Sequence, residues 1–165
     1  MKKLLMIGLA ALLLAGCTAK ETVKVFEKTE EEPGYKYTYV ETITAAKDAV
    51  VNEKIVSTIT IEEPVDGEID TFKLLLDAKV ACPYGVLDAD GNQTEGCSKF
   101  IDVEYTFDEA TNTFTITENF RYKDAAKAKE DIISVEAGGN YSDDEYYSME
   151  MFESDLLDAG YTLVK

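Results

Sequence analysis

Chemistry in this chain would have to come from carboxylates, because its 165 residues hold 33 Asp and Glu and no histidine. Without an imidazole neither a Ser-His-Asp nor a Cys-His arrangement can form, and no glycine-rich phosphate loop follows a strand-like run. Paired carboxylates of the kind that hydrolyse glycosides remain, yet so many acids make chance pairs common. Glu41 and the Glu62-Glu63 pair are examples, and their positions read as solvated strand ends. No catalytic residue is assigned; the expectation is a protein that is not an enzyme and takes no cofactor. Asp88, Asp90 and Asn92 alternate oxygen ligands in a way that can converge on one calcium ion. The loop then fails, with Gln93 where the turn glycine belongs and Lys99 where a bidentate glutamate would close it, so a polar turn is the reading and no metal site is expected. Tyr35, Tyr37 and Tyr39 could offer a glycan or peptide an aromatic strip, although such stripes more often pack beneath a helix with their hydroxyls at its edge.

Thiols are the other reactive groups. Cys17 ends a segment that starts with Lys2 and Lys3, runs apolar from Leu4 to Leu14 and finishes in small residues. This is the three-part pattern of a secretory signal, and its apolar run is too short to span a bilayer. Leu14-Ala15-Gly16-Cys17 resembles the lipobox of bacterial lipoproteins. The resemblance implies diacylglyceryl transfer to the Cys17 sulfur, cleavage before Cys17 and acylation of the new amino group, and two or three acyl chains anchor firmly. It places the protein in the bacterial cell envelope, on the extracytoplasmic face of a membrane. Thr18 in place of an aspartate resembles sorting toward the outer membrane in a cell that has two. The alternative is an ordinary cleaved signal with an incidental cysteine. If Cys17 carries lipid, Cys82 and Cys97 remain as a pair in an oxidising compartment, where a disulfide is expected. The competing metal reading is poor, since two thiolates without histidine do not make a zinc site.

Loss of Lys2 and Lys3 with the signal takes the formal charge from −17 to −19. Nucleic acid is excluded as a partner, because no basic patch exists to neutralise phosphates. Anionic lipid would repel the domain, and a macromolecule drawn in by its field should be cationic. The expected organisation is a signal peptide at 1–16, a lipidated cysteine and acidic tether at 17–34, and one domain, a monomer, at 35–165. Within the tether Val23, Val25 and Phe26 could instead begin an edge strand and shorten the leash.

From Tyr35 the pattern has period two. Tyr35, Tyr37, Tyr39, Glu41 and Ile43, then Ile55, Ser57, Ile59 and Ile61, predict two antiparallel strands joined through 46–49. Pro64 and Gly67 end the second, after which Ile69, Phe72, Leu75, Leu76 and Val80 recur at helical spacing until Pro83. Alternation in Ile101–Phe107 and Phe114–Phe120 predicts a second hairpin across the polar turn 108–113. A short helix over 124–133 is expected from Asp124 and its alanines. The final helix is expected to start at a capping box formed by Ser142 and Glu145, with Tyr146, Met149, Phe152, Leu156 and Ala159 on one face and Gly160 at its exit. Tyr161–Val164 then forms a closing strand. These elements predict an α+β fold: a mostly antiparallel sheet of two hairpins plus a C-terminal strand, with two or three helices on one face.

The lipobox, the hairpin-helix-hairpin order and the run from Met149-Glu150-Met151-Phe152 through Leu157-Asp158-Ala159-Gly160-Tyr161 to Val164-Lys165 resemble the YehR-type lipoproteins. That family is a set of small bacterial lipoproteins without an established activity, so the resemblance implies a lipid-anchored α+β domain and no catalytic residues. The segment from Cys82 to Cys97 departs from it. Three functions fit: a non-catalytic envelope lipoprotein that binds a protein, peptide or small ligand; an acidic binder of cationic envelope-attacking proteins or peptides; and a carboxylate-only hydrolase of cell-wall glycans. The first is preferred, because it needs no feature the chain lacks. The acids of the final helix, from Asp143 to Asp158, form either a solvated face or a surface for a cationic partner.

Overall fold

The computed structural model describes residues 20–83, 86–87, 93–95, 97–124 and 148–165. Six strands form an antiparallel sheet: β1 (Glu21–Glu32), β2 (Tyr35–Ala46), β3 (Ala49–Ile61), β6 (Ile101–Asp108), β7 (Thr113–Phe120) and β8 (Thr162–Leu163). Their spatial order is β6-β7-β3-β2-β1-β8. Between the cysteines, β4 (Val86–Leu87) and β5 (Gln93–Glu95) pair as a separate ribbon. Helices α1 (Glu68–Ala81) and α2 (Met149–Asp158) pack on one face of the sheet. The fold is therefore α+β, with both predicted hairpins and the closing strand in place.

One boundary moves. The stretch expected to be an acidic tether is β1 from Glu21 onward, paired with β2 along its whole length from Glu21↔Ala46 to Glu32↔Tyr35. Pro33-Gly34 is the two-residue turn of that hairpin, with Gly34 at a φ of 86° that a glycine adopts without steric cost. Phe26 supplies the reason: its ring, 0% exposed, is part of the core. The many charges of β1 suit a strand near the sheet's edge, where they discourage pairing with other chains. Only residues 18–20 lie between Cys17 and the sheet.

Period two sends Phe26, the odd-numbered residues of β2, Ile55, Ile59, Ile61 and Phe114 to the helix-covered face. Two clusters form there. Under α1, Leu76 packs with Ile61, Phe100, Ile101, Val103, Phe114, Ile116 and Phe120. Under α2, Met149 and Leu156 pack with Phe26, Ile43, Ala45 and Val50. The opposite face is polar and rich in threonine, with Thr29, Thr38, Thr58, Thr115 and Thr106 in one row across five strands. Threonine there combines a β-branched preference for strand with a hydroxyl for water.

Cys82 is the C-cap residue of α1 and is disulfide-bonded to Cys97, Cα to Cα 4.7 Å, which pins the helix's exit to the segment leading into β6. The final helix starts later than the capping-box pattern predicts. Ser148, not Ser142, is its N-cap, and the Ser148 hydroxyl accepts the Met151 N–H at 3.1 Å. A serine is equally able to cap at either position, and the extended backbone of Ser148 decides it. Ser142, Glu145 and Tyr146 lie outside the described residues, as do Asp143 and Asp144, and so does the helix expected over 124–133 beyond Asp124. At the other end of α2 the amides of Gly160 and Tyr161 donate to Leu157 and Leu156 carbonyls at 3.1 and 2.9 Å, with Gly160 at a φ of 89°. This is the Schellman closure the Ala-Gly sequence predicts.

Candidate functional site

Glu41 was expected at a solvated strand end and is instead one of three buried carboxylates in the middle of the sheet. Glu62 and Glu63 are exposed, as expected. Glu41 on β2 and Glu118 on β7 flank Ile55 in one row, while Glu53 lies diagonal to both, between Ile43 and Phe120. All three point toward the helices and are buried. A buried carboxylate is tolerated only with partners, and each of these joins the sheet to a different overlying segment. The Tyr161 hydroxyl donates to Glu41, the Tyr122 hydroxyl donates to Glu53 at 2.5 Å, and Lys79 of α1 lies 2.8 Å from Glu118. The carboxylates therefore fasten the segments that cover the sheet. Among the described residues no group of three acidic or thiol side chains is placed to hold a metal ion; Asp88, Asp90 and Asn92 lie outside them, as does Cys17.

Among the described residues, the tyrosines lie on this same face between α1 and the Tyr161 segment. Tyr35, Tyr37 and Tyr39 project from β2 on the helix side, all half-buried. Their rings are nearly parallel, 6.0 Å apart for the first pair and 6.4 Å for the second. Tyr161 continues the row, 6.4 Å from Tyr39 and tilted by 55°. It reaches this position because the Schellman closure turns the chain back over β1, where Thr162–Leu163 pair with Glu27 and Phe26. At the far end the Tyr35 hydroxyl donates to Glu68 in the first turn of α1.

The flank of α1 that carries Glu68 meets the row at Tyr35. Sequence periodicity placed Leu75 and Val80 on the buried stripe with Ile69, Phe72 and Leu76, but Leu75 is 63% exposed and Val80 is exposed as well. At 100° per residue, Ile69, Phe72 and Leu76 centre on the sheet, and Leu75 falls to one side of them. Leu75, Phe72, Thr71, Glu68, Gly67, Asp66 and Val65 line an open hollow of about 490 Å³. Val65 is 70% exposed, where its place between Pro64 and Gly67 suggested only a strand's end.

Acidic groups set the electrostatics of this hollow. The Glu68 carboxyl is held below the usual range by the Tyr35 hydroxyl and then by the Val65 N–H, which donates to it at 2.9 Å. The same hydrogen bond raises the Tyr35 phenol. Tyr37 is raised by burial and then by Glu32 and Glu30; Tyr39 is raised by burial and then by Glu30. Tyr161 is pushed far above the ordinary phenol value, first by burial and then by its bond to Glu41. All four phenols are thus raised above the ordinary value, and the carboxylates around them favour cations. Lys28 shows this directly: it lies 2.7 Å from Glu30 with its ammonium 5.6 Å from the Tyr161 ring centre, a cation–π contact.

The residues singled out from sequence thus divide. Tyr35, Tyr37 and Tyr39 come together with one another and meet Glu68 and Tyr161 at the two ends of the row, while Val65 and Leu75 line the adjoining hollow; the sequence placed Leu75 in the helix core and Tyr161 in the closing strand, and marked neither Val65 nor Glu68. No protein-family model and no curated protein matches this sequence. Among solved structures it is similar to a protein from Streptococcus pneumoniae TIGR4 determined by NMR, at 18% identity and a TM-score of 0.47, with 88% of this chain and 86% of that one covered.

Proposed function

We propose that this protein is a lipid-anchored, non-catalytic binding domain at the extracytoplasmic face of a bacterial membrane, and that its ligand is cationic. The observation that carries the reading is the row of four half-buried tyrosines flanked by Glu30, Glu32 and Glu68. Aromatic rings with an apolar body and a polar tip suit recognition rather than turnover. The engagement of Glu41, Glu53 and Glu118 by a phenol or an ammonium supports a binding role over a hydrolytic one. Anchorage rests on the Leu14-Ala15-Gly16-Cys17 sequence, and the short span 18–20 would hold the domain close to the headgroups, where its charge opposes contact with anionic lipid.

Two measurements on protein extracted from its native membrane test this reading. Intact mass should show a diacylglyceryl adduct on Cys17, and Cys17→Ala should move the protein out of the membrane fraction. Polylysine should bind the protein with an affinity that falls steeply with salt, while polyglutamate should not bind. An unmodified Cys17 would refute the anchor; equal behaviour of the two polymers would refute the cationic ligand.

A further inference from the structure

We infer that the hollow along the Leu75 flank of α1, which meets the tyrosine row at the Tyr35–Glu68 hydrogen bond, is the seat of a cationic peptide segment that also carries apolar side chains. The inference deepens the binding role proposed above and rests on it. Val65 and Leu75, 70% and 63% exposed, line with half-buried Phe72 a hollow of about 490 Å³. Large apolar side chains gathered in a concavity mark a recognition surface, where scattered ones do not, and this volume falls in the range that takes a ligand group. Asp66 and Glu68 stand on the lip of the hollow, and Glu30 and Glu32 act on the phenols beyond it. A purely apolar ligand would make no use of the acidic lip, and a purely cationic one would leave Val65 and Leu75 in water.

The row of rings provides for the cationic side chains. Lys28 already occupies one end, resting over Tyr161 while paired with Glu30; a lysine or arginine of the ligand over Tyr37, near Glu30 and Glu32, would repeat that arrangement. Stepping 6.0, 6.4 and 6.4 Å from ring to ring, the row matches the repeat of alternate side chains along an extended peptide, about 6.5–7 Å. A second copy of this chain is disfavoured by the −19 formal charge each would bring once Lys2 and Lys3 are lost with the signal.

The test uses the lipidated full-length protein in phosphatidylcholine nanodiscs, with empty nanodiscs as the blank. Three fluorescent twelve-residue probes are titrated: alternating Lys-Leu, the same peptide with every lysine acetylated, and alternating Lys-Ser. Lys-Leu should bind at least about tenfold more tightly than either of the others, and Leu75→Ser should cost about tenfold in its affinity. Leu74→Ser, at an equally exposed position outside the hollow, should change nothing. Unchanged thermal unfolding of the Leu75 and Leu74 variants keeps the comparison one of binding. Equal affinity for Lys-Leu and Lys-Ser, or equal losses at Leu74 and Leu75, would overturn the seat while leaving an acidic binder intact. Undiminished binding of the acetylated peptide, or competition by chitotetraose, would overturn the cationic occupant. Failure of every lysine-bearing probe would overturn both this inference and the role beneath it.

Discussion

Replacing Cys82 and Cys97 with serine isolates one link of this fold. The bridge closes a loop with a sequence separation of 15, and the chain-entropy model assigns a loop of that length about 3 kcal/mol at 25 °C. Folding should survive, because α1 keeps Ile69, Phe72 and Leu76 against the sheet and Lys79 against Glu118. Urea unfolding at pH 7 should therefore remain cooperative, with stability lower by about 3 kcal/mol and a larger m-value, since the uncrosslinked unfolded chain exposes more surface. Wild type in reductant should coincide with the double-serine variant. Amide exchange should locate the effect: the last turn of α1, where the Cys82 N–H donates to the Ala78 carbonyl at 3.0 Å, should lose protection beyond the global loss, while the β2–β3 ladder should not. A stability change below about 0.5 kcal/mol, or equal local loss in helix and ladder, would refute the view that the bridge acts by restraining this loop.

Phe26→Ala should destabilise the domain by about 3–5 kcal/mol, the range for a fully buried aromatic ring, and open β1 to protease; a flexible tether would show neither effect in thermal unfolding or limited proteolysis. Lys47 turns the β2–β3 hairpin at a φ of 63°, so Lys47→Gly should raise stability by about 0.5–1 kcal/mol once relief of the left-handed conformation is set against the freer unfolded chain, and a lowered Tm would count against it. Above pH 10 stability should fall. The raised phenols, Tyr161 above all, keep their protons in the folded state after unfolded tyrosines have lost theirs, so their contribution is complete below pH 10 and declines as pH rises. Linkage caps the slope from Tyr161 at about 1.4 kcal/mol per pH unit, less what solvent screening removes. Urea melts between pH 9 and 11.5 should show a shallower decline for Tyr161→Phe; identical slopes would refute this origin.

Strand period and turn chemistry were legible because they are local. The alternation of Ile101–Phe107 and Phe114–Phe120 admits only one pairing across a polar turn, and the Ala-Gly pair at 159–160 can close a helix in few ways. β1 was read as a tether because charge dominates its composition, yet a single alternate residue, Phe26, outweighs that composition once its ring is buried. Glu41 misled for the opposite reason. Its place in the alternating run with Tyr39 and Ile43 already put it on the covered face, but the hydroxyl that makes burial tolerable belongs to Tyr161, far away in sequence.

The same distance explains why only half of the candidate site could be seen beforehand. A stripe of tyrosines on one strand has two fates, beneath a helix or open to a ligand, and the choice depends on where neighbouring elements stop. Here α1 is set at one side by Leu76 and Lys79, and β8 at the other by its pairing with Phe26 and Glu27. Among the described residues the rings stand between these two, half-buried and still meeting solvent. Leu75 follows the same logic: a helix that must face a sheet occupied by Phe114 and Phe120 presents Phe72 and Leu76 to it and turns Leu75 outward. The apolar residue that local periodicity assigns to the core thereby becomes the exposed wall of a hollow, and whether a cationic, apolar peptide prefers it to Leu74 decides if that exposure is functional.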